Sequence, residues 1–146
     1  MKKKKSENSR IGWREWVSFP DFGIDRIKAK IDTGARTSAI HAFRVRKIFG
    51  GAGQQVEFYL HPIQHRRRPE LRCVANLVGE RAIRSSNGEA ETRYVIRTPM
   101  RLGDDIWPIE LTLSNRDQMG FRLLIGRSAI RKRYIVDPGS SYLSDH

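Results

Sequence analysis

Asp32-Thr33-Gly34 is the segment best suited to chemistry, because it places a carboxylate beside a hydroxyl and a glycine. A carboxylate can act as a base toward water, and a threonine hydroxyl can brace the turn that carries it. Glycine adopts backbone angles that other residues avoid, and it lets a ligand or a second backbone come close. Three residues are a weak motif, and an ordinary turn aspartate is the alternative.

A predicted strand leads directly into Asp32. Apolar residues at positions 27, 29 and 31 alternate with basic residues at positions 26, 28 and 30, which is the period of a half-buried strand. The small residues of Asp32-Thr-Gly-Ala35 then interrupt the alternation. The sequence therefore predicts that the chain bends at Asp32.

Short strands separated by turns are predicted along most of the chain. The alternating segments are Ile11–Ser18, Thr37–His41, Phe43–Ile48, Val56–Leu60 and Trp107–Leu113, with further strand-like pieces from Leu71. Turns or loops are predicted at Pro20–Gly23, Gly50–Gly53, His61–Glu70, Asn87-Gly88, Leu102–Asp105 and Asp137–Gly139. Phe121–Ile125 is an apolar run ended by Gly126, and Ser128–Arg133 is predicted as one helical turn. This pattern indicates an all-β closed sheet with one short C-terminal helix.

Length and composition favour one domain. The 146 residues suffice for a single core, and their 38% hydrophobic content supports a globular fold if the basic start is excluded. Residues 1–10 are predicted to be a disordered basic tail, because no apolar run follows Lys2–Lys5 as it would in a secretory signal. The folded domain is predicted over residues 11–143.

The charge points to anionic partners. The net charge is +12, and arginine supplies 20 of the 28 basic residues. Arginine binds planar oxyanions through two hydrogen bonds, so carboxylates and phosphates are the favoured ligands. Nucleic acid, an anionic membrane surface, an acidic peptide and a merely solvated surface all remain open. The chain has no apolar run long enough to cross a membrane, and its single cysteine, Cys73, predicts a reducing cytoplasm.

The order of the motifs resembles the retropepsin-like aspartic proteases. These carry Asp-Thr-Gly-Ala, a glycine-containing flap hairpin and a later apolar-apolar-Gly-Arg segment, matched here by Leu124-Ile-Gly126-Arg127. The chain is still more similar to a bacterial branch of small retropepsin-like proteins, often labelled ATP-dependent zinc proteases. The shared stretches are Gly12–Val17, Lys28–His41, Arg84–Gly88, Trp107–Asp117 and Leu124–Arg127. The resemblance covers nearly all of residues 11–143 and implies a single-lobe closed barrel with a flap.

The resemblance also implies roles for particular residues. Asp32, Thr33 and Gly34 would form the catalytic turn, with Gly126 and Arg127 supporting it from beneath. The residues that would contact substrate are Ala35 and Arg36 beside the turn and the flap residues Arg84, Ser85, Ser86, Asn87 and Gly88. In retropepsins the arginine at position 127 pairs with an acid four residues after the catalytic aspartate, and here that position holds Arg36. The usual ion pair is therefore not expected.

Aspartic proteolysis needs two carboxylates that share one proton, and this chain carries one Asp-Thr-Gly. A symmetric homodimer would place Asp32 opposite its own copy. Asp117 and Asp137 are the alternatives within the chain, although both positions also suit structural loops. We expect the homodimer.

Substrate charge follows from the arginines. If Arg36 and Arg84 line the cleft together with Arg44, Arg46 and Arg93, the cleft should prefer peptides rich in glutamate or aspartate. The resemblance agrees, because related proteins are associated with a glutamate ligase that extends a ribosomal protein. The expected activity is endopeptidase cleavage of acidic, Glu-rich segments, with the ligase or the ribosomal protein as a further partner.

Two other functions are alternatives to this one. Zinc peptidase activity would need ligands, and the candidates His41, His61, His65 and Cys73 show no metal-binding spacing. No phosphate-binding loop is present either, so neither a zinc site nor an ATP site is expected in this chain. The second alternative is a non-catalytic basic module for ribosomal RNA or protein, but the aromatic residues do not combine with arginine in a recognisable RNA-binding motif.

Overall fold

A computed structural model describes residues 9–50, 53–63, 66–84, 88–115 and 120–144. Nine strands dominate this part of the chain: β1 Arg10–Phe19, β2 Ile24–Asp32, β3 Ser38–Gly50, β4 Gly53–Leu60, β5 Leu71–Arg84, β6 Ala90–Leu102, β7 Asp105–Ser114, β8 Leu123–Gly126 and β9 Ile135–Ser141. A 3-10 turn spans Pro20–Phe22, and the short helix α1 spans Arg127–Ile130. The predicted all-β class is confirmed.

The strands form one curved sheet in the order β4-β5-β6-β7-β3-β8-β2-β1-β9. Additional pairings of β4 with β3 and of β6 with β1 bring the sheet back on itself. The result is a ring of strands rather than a regular barrel. Most neighbours are antiparallel, but β2 with β8, β3 with β7 and β1 with β9 are parallel.

The alternation of apolar and polar residues explains which side of each strand is buried. In β2, Ile27, Ala29 and Ile31 are buried, whereas Arg26 and Lys30 on the other face are exposed. The largest fully buried side chains come from seven of the nine strands and meet in one core: Ile11, Phe19, Ile27, Ile40, Phe58, Leu60, Ile96, Met100, Leu102, Leu111, Leu123 and Ile125. Burial of these side chains is the main favourable contribution to folding.

A buried carboxylate fixes the two ends of the described chain. Glu15 is completely buried, and its oxygens accept hydrogen bonds from the backbone N–H groups of Gly12 at 2.6 Å, Leu143 at 2.9 Å and Ser144 at 3.1 Å. Hydrogen bonds to an ionised carboxylate are stronger than neutral ones, so these contacts compensate for the burial of Glu15. They hold the segment after β9 against β1.

Three sequence predictions need correction. The segments Thr37–His41 and Phe43–Ile48 form one strand, β3, which pairs with β7 and then with β4 across an irregularity between Phe43 and Arg46. The helix begins at Arg127 instead of Ser128, and Lys132, whose φ is +65°, follows its end. Asp137-Pro138-Gly139 lies inside β9 rather than in a turn, because β9 continues beside β1 to Ser141.

Other predictions agree with the structure or fall outside it. The described residues of His61–Glu70 contain no strand or helix, as expected for a loop. Residues 1–8 of the predicted tail lie outside the described part, as do residues 51 and 52 of the β3–β4 hairpin. Within the described residues, no helix has the length and apolar character that crossing a membrane requires.

Replacing Gly12 by alanine is predicted to destabilise the protein. A Cβ at this position would lie 2.2 Å from the carbonyl oxygen of Ser140, so the β1–β9 pair must shift. We expect the free energy of unfolding in urea to fall by about 1–3 kcal/mol, the usual effect of overpacking. Gly79→Ala is the matched control, because a Cβ there meets nothing within 4 Å. Equal effects of the two substitutions would contradict the prediction.

Candidate active site

Two parallel strands bring the Asp32 turn and Gly126 together. In the register of β2 and β8, Ile31 lies opposite Ile125 and Asp32 lies opposite Gly126. Both strands are apolar on the face that packs into the core, so the core fixes their ends. Asp32, a half-buried residue, is therefore held where β2 leaves the sheet.

The turn after Asp32 is tight and braced by its own carboxylate. The backbone N–H of Ala35 donates to the Asp32 carbonyl oxygen at 3.2 Å, and the N–H of Gly34 donates to Asp32 Oδ1 at 3.0 Å. The second bond fixes the orientation of the carboxyl group. This geometry confirms the predicted bend at Asp32.

Gly126 packs directly beneath the turn. A Cβ at Gly126 would lie 2.7 Å from the carbonyl group of Thr37 and 2.8 Å from the carbonyl oxygen of Ala35, so only glycine fits without a shift. The Gly126 N–H donates to the buried Ser38 hydroxyl at 3.0 Å. The Ser38 carbonyl oxygen in turn accepts from the Thr112 hydroxyl at 3.1 Å.

Arg127 supports the turn through backbone atoms. Its N–H donates to the Ala35 carbonyl oxygen at 2.8 Å, and its Nη1 donates to the carbonyl oxygens of Thr33 at 3.4 Å and Gly34 at 3.2 Å. These hydrogen bonds to carbonyl oxygens replace the ion pair that the resemblance to retropepsins implies for this arginine. The absence of an acid at position 36 is therefore compatible with an ordered turn.

A groove of about 990 Å³ lies beside the segment that follows Asp32. The five residues from Gly34 to Ser38 line it, whereas Asp32 itself does not. The remaining lining residues come from β5, β6, β7 and the region of α1: Arg81, Ala82, Ile83, Arg84, Arg97, Trp107, Pro108, Ile109, Glu110, Ser128, Ala129, Arg131 and Arg133. The size suits a peptide segment better than a small ion.

The groove is strongly basic. Six of its lining residues are arginines and one, Glu110, is an acid. Glu110 accepts from Arg81 Nη2 at 3.0 Å, and its backbone lies directly opposite Arg97 in the β6–β7 pair. Both members of the Arg81–Glu110 ion pair are about two-fifths exposed, so water weakens their attraction. The pair can therefore open at little cost.

The structure separates the arginines that were predicted for the cleft. Arg36 and Arg84 line the groove, whereas Arg44, Arg46 and Arg93 do not. Those three lie at ion-pair distance from Glu70, Glu57 and Glu91 respectively. Arg46 and Arg72 both donate to the Glu57 carboxylate, and these hydrogen bonds lower its pKa.

Sequence reasoning missed four arginines of the groove. Arg81 is on β5, three residues before Arg84, and Arg97 is on β6. Arg131 and Arg133 follow α1. Arg81, Arg131 and Arg133 had a signal in the sequence, namely their proximity to the predicted flap or to Gly126-Arg127. Arg97 and the acid opposite it had no such signal, because only strand pairing brings them to the groove.

The predicted flap is a hairpin beside the groove. Strands β5 and β6 pair up to Arg84 and Ala90, and Arg84 Nη1 donates to the Gly88 carbonyl oxygen at 2.8 Å. Gly88 has a φ of +88°, which favours glycine. The predicted substrate contacts Ser85, Ser86 and Asn87 lie outside the described residues.

Of the two alternative second carboxylates, Asp137 is described, and it does not line the groove. Asp137 lies on β9 and accepts from the Gly139 N–H and the Ser140 hydroxyl, both at 2.9 Å. These bonds lower the pKa of Asp137 and give it a local structural role. Asp117 lies outside the described residues.

The histidine and cysteine candidates do not form a metal site in the described part of the chain, where no three potential ligands converge. His41 and His61 are near each other, but their rings stack at 5.6 Å between centroids, and His61 also stacks on Phe43 at 4.2 Å. Cys73 is buried, and burial raises the pKa of its thiol to about 11. His65 lies outside the described residues.

Comparison with known proteins identifies related sequences. A family model described as the retropepsin-like aspartic endopeptidase RimB matches residues 10–146. Two relatives, each described as a probable alpha-L-glutamate ligase, are 49% identical: one from Shewanella pealeana over 132 residues and one from Desulfotalea psychrophila over 128 residues. The matches cover 90% and 88% of this chain but only 29% and 28% of those proteins. The chain thus spans less than a third of the length of these relatives.

A solved structure has the same fold. A Legionella pneumophila protein of unknown function superposes with a TM-score of 0.76, and the match covers 94% of this chain and 99% of that one. The sequence identity is 24%. This likeness concerns the arrangement of the strands.

Replacing Ser38 by alanine is predicted to weaken the support of the Asp32 turn. The substitution leaves the buried N–H of Gly126 without the hydroxyl that it now contacts at 3.0 Å. Loss of a partner for a buried donor costs about 1–3 kcal/mol, which urea unfolding should detect. Ser18→Ala is the control, because the Ser18 hydroxyl makes an exposed bond to the Asp25 carbonyl oxygen and its removal should cost less than about 0.5 kcal/mol. A Ser38→Ala protein as stable as the control would refute this assignment.

Proposed function

Because the chain belongs to the RimB-like family of retropepsin-like aspartic endopeptidases, we propose that it is an aspartic-type peptidase that hydrolyses acidic, Glu-rich segments. The observation that carries this proposal is that Gly34 and Ala35 of the braced Asp32 turn line a groove together with six arginines. A carboxylate next to such a groove combines a base for water with a binding site for anionic side chains.

Asp32 is proposed as the catalytic carboxylate. The N–H of Gly34 orients its Oδ1, while Gly126 and Arg127 hold the turn from below. In this chemistry one carboxylate takes a proton from water as the water attacks the scissile carbonyl, and a second carboxyl donates a proton to the carbonyl oxygen. This chemistry needs the two carboxyl groups to share one proton, because two neighbouring negative charges repel each other.

We propose that a second copy of the chain supplies the second carboxyl. A two-fold axis would place one Asp32 against the other and make the two acids equivalent. The groove of each copy would then continue into that of its partner, which suits a substrate that lies extended between them. Asp137 is a poorer candidate, because its carboxylate is engaged by Gly139 and Ser140 within β9.

Substrate preference is assigned to the groove arginines. Arg36 follows the Asp32 turn directly, Arg84 stands at the hairpin, and Arg131 and Arg133 lie on the α1 side. Guanidinium groups hold carboxylates through paired, charge-assisted hydrogen bonds. Glutamate side chains spaced along an extended peptide would meet such groups on both sides of the groove. The hairpin would close over the peptide as a flap.

We propose that neither zinc nor ATP takes part in the reaction of this chain, and that it acts in the cytoplasm. The relatives described as glutamate ligases suggest that the substrate is a product of glutamate addition, or that a ligase is a partner. A ribosomal protein with such a tail would be one substrate of this kind.

Cleavage of a glutamate-tailed peptide tests the proposed function. The protein should cleave this peptide in preference to a neutral peptide of equal length, and chelation by EDTA should leave the rate unchanged. Asp32→Asn should abolish cleavage, whereas the control Asp25→Asn, at an exposed position on β2, should keep it. Equal cleavage of both peptides, or full activity of Asp32→Asn, would reject the proposal.

Light scattering on the same samples tests the origin of the second carboxyl. The active species should have the mass of two chains. Full activity from a species with the mass of one chain would show that the second acid is not supplied by a second copy.

Glu110 is predicted to compete with the substrate. Its Oε1 forms an ion pair with Arg81 Nη2 at 3.0 Å, so Glu110→Gln should make this arginine available to a substrate carboxylate. An exposed ion pair is worth about 0.2–1 kcal/mol, so KM for the glutamate-tailed peptide should fall by about 1.4- to 5-fold with little change in kcat.

Two controls separate this effect from a general change in charge. Glu70→Gln removes an exposed ion pair with Arg44 outside the groove and should leave KM unchanged. In an Arg81→Gln background, Glu110→Gln should have a smaller effect. An unchanged or higher KM for Glu110→Gln alone would contradict the prediction.

A further inference from the structure

Aromatic and basic side chains alternate on the outer side of β1 and β2, next to the end of β9. We call this surface the ladder face, and it is formed by Trp13, Arg14, Trp16, Arg26, Lys28, Lys30, Phe121 and Tyr142. Arg26 and Lys30 are exposed and the other six are half-buried. These residues are scattered between positions 13 and 142, so only the fold assembles the face.

Contacts along the ladder face form a continuous stack. The Arg26 guanidinium lies 4.4 Å from the centre of the Trp16 ring, and that ring stacks on Tyr142 at 5.6 Å with an angle of 15°. The Arg14 guanidinium is 5.1 Å from the Tyr142 ring and 4.8 Å from the Trp13 ring. Trp13 then meets the edge of Phe121 at 5.8 Å.

Strand pairing adds two lysines to this stack. Trp16 lies opposite Lys28 in the β1–β2 pair, with the Lys28 ammonium 5.5 Å from the ring, and Arg14 lies opposite Lys30. Arg14 is also anchored by the bond from its Nε to the Ser141 hydroxyl at 3.1 Å. Four basic residues therefore lie close together on two neighbouring strands.

Two of the described acids near the ladder face are bound by other groups. Glu15 is buried, and backbone N–H groups donate to its carboxylate. Asp137 on β9 accepts hydrogen bonds from the Gly139 N–H and the Ser140 hydroxyl, and the charge of Arg10 contributes to lowering its pKa. Asp25 is exposed on β2 beside Arg26, so the described part of the face keeps a net positive charge.

The ladder face is distinct from the peptide groove. No ladder-face residue lines the groove, whose basic residues come from the turn after Asp32, from β5 and β6, and from the region of α1. A ligand on the ladder face would therefore leave the groove open. The proposed peptidase activity does not account for these four cations.

We propose that the ladder face binds a single strand of nucleic acid through its phosphodiester backbone. Phosphates complement the four cations, and a planar base can stack on the exposed Arg26 guanidinium, which the Trp16 ring supports from the other side. A lipid surface would call for aromatic side chains that project into it, whereas Trp16 lies between Tyr142 and Arg26. An acidic peptide would satisfy the cations but would make no use of the rings.

The test measures binding of a labelled 20-nucleotide oligouridylate to the full chain by fluorescence anisotropy, over a series of salt concentrations. The triple variant Arg26→Gln, Lys28→Gln, Lys30→Gln should bind about 10- to 100-fold more weakly at ~0.1 M salt, and the slope of log K against log salt should fall by about 2. Trp16→Leu keeps the charge but removes the central ring. It should weaken binding by about two- to fivefold.

The matched control is Arg66→Gln, Arg67→Gln, Arg68→Gln, which removes the same charge from three exposed positions in the loop before β5. The control should bind nearly as well as the parent protein, and circular dichroism should show that all variants are folded. Oligodeoxyuridylate should bind with similar affinity, since the contacts are to phosphates. Equal losses in both triple variants, no measurable binding at ~0.1 M salt, or a preference for phosphatidylglycerol vesicles over the oligonucleotide would overturn the proposal.

Discussion

The close approach of Gly126 to the Asp32 turn is the constraint on which the site depends. A single methyl group at position 126 would collide with the carbonyl groups of Thr37 and Ala35. The same strand end supplies the N–H that meets Ser38 and the side chain of Arg127 that meets two carbonyl oxygens of the turn. The parallel β2–β8 pair thus sets the position of Asp32 and of the following segment, residues 34–38, which lines the groove.

The charges of this protein serve different ends in different places. Glu57, whose carboxylate binds two arginines, and Glu15, which binds backbone N–H groups, are buried and contribute to structure. Exposed ion pairs such as that of Arg81 and Glu110 contribute little to stability, because water and salt weaken them. An excess of arginine in the groove is therefore better explained by an anionic ligand than by stability. The ladder face extends this reasoning to a second surface, where the cations lie against rings.

Much of the fold could be predicted, because its signals are local. The alternation in β2, the glycine at position 88 and the apolar run before Gly126 each arise from neighbouring residues, and each marks an element of the structure. The predictions failed where an element depends on distant partners. Strand β3 continues through Arg44, with its φ of +50°, because β7 and β4 pair with it in succession. Strand β9 includes Pro138 because β1 runs beside it.

Residue type and short-range periodicity specify the Asp32-Thr-Gly turn, its glycine support and the basic character of the protein. Which charges act together depends on the tertiary structure. Arg81, Arg97 and Glu110 share the groove, whereas Arg44, Arg46 and Arg93 are paired elsewhere, although nothing in their local sequence separates the two groups. Likewise, Trp16 meets Tyr142 across 126 positions of sequence. The physical reason is that strand pairing joins distant residues, and the pairing is chosen by the burial of the whole core rather than by any one segment.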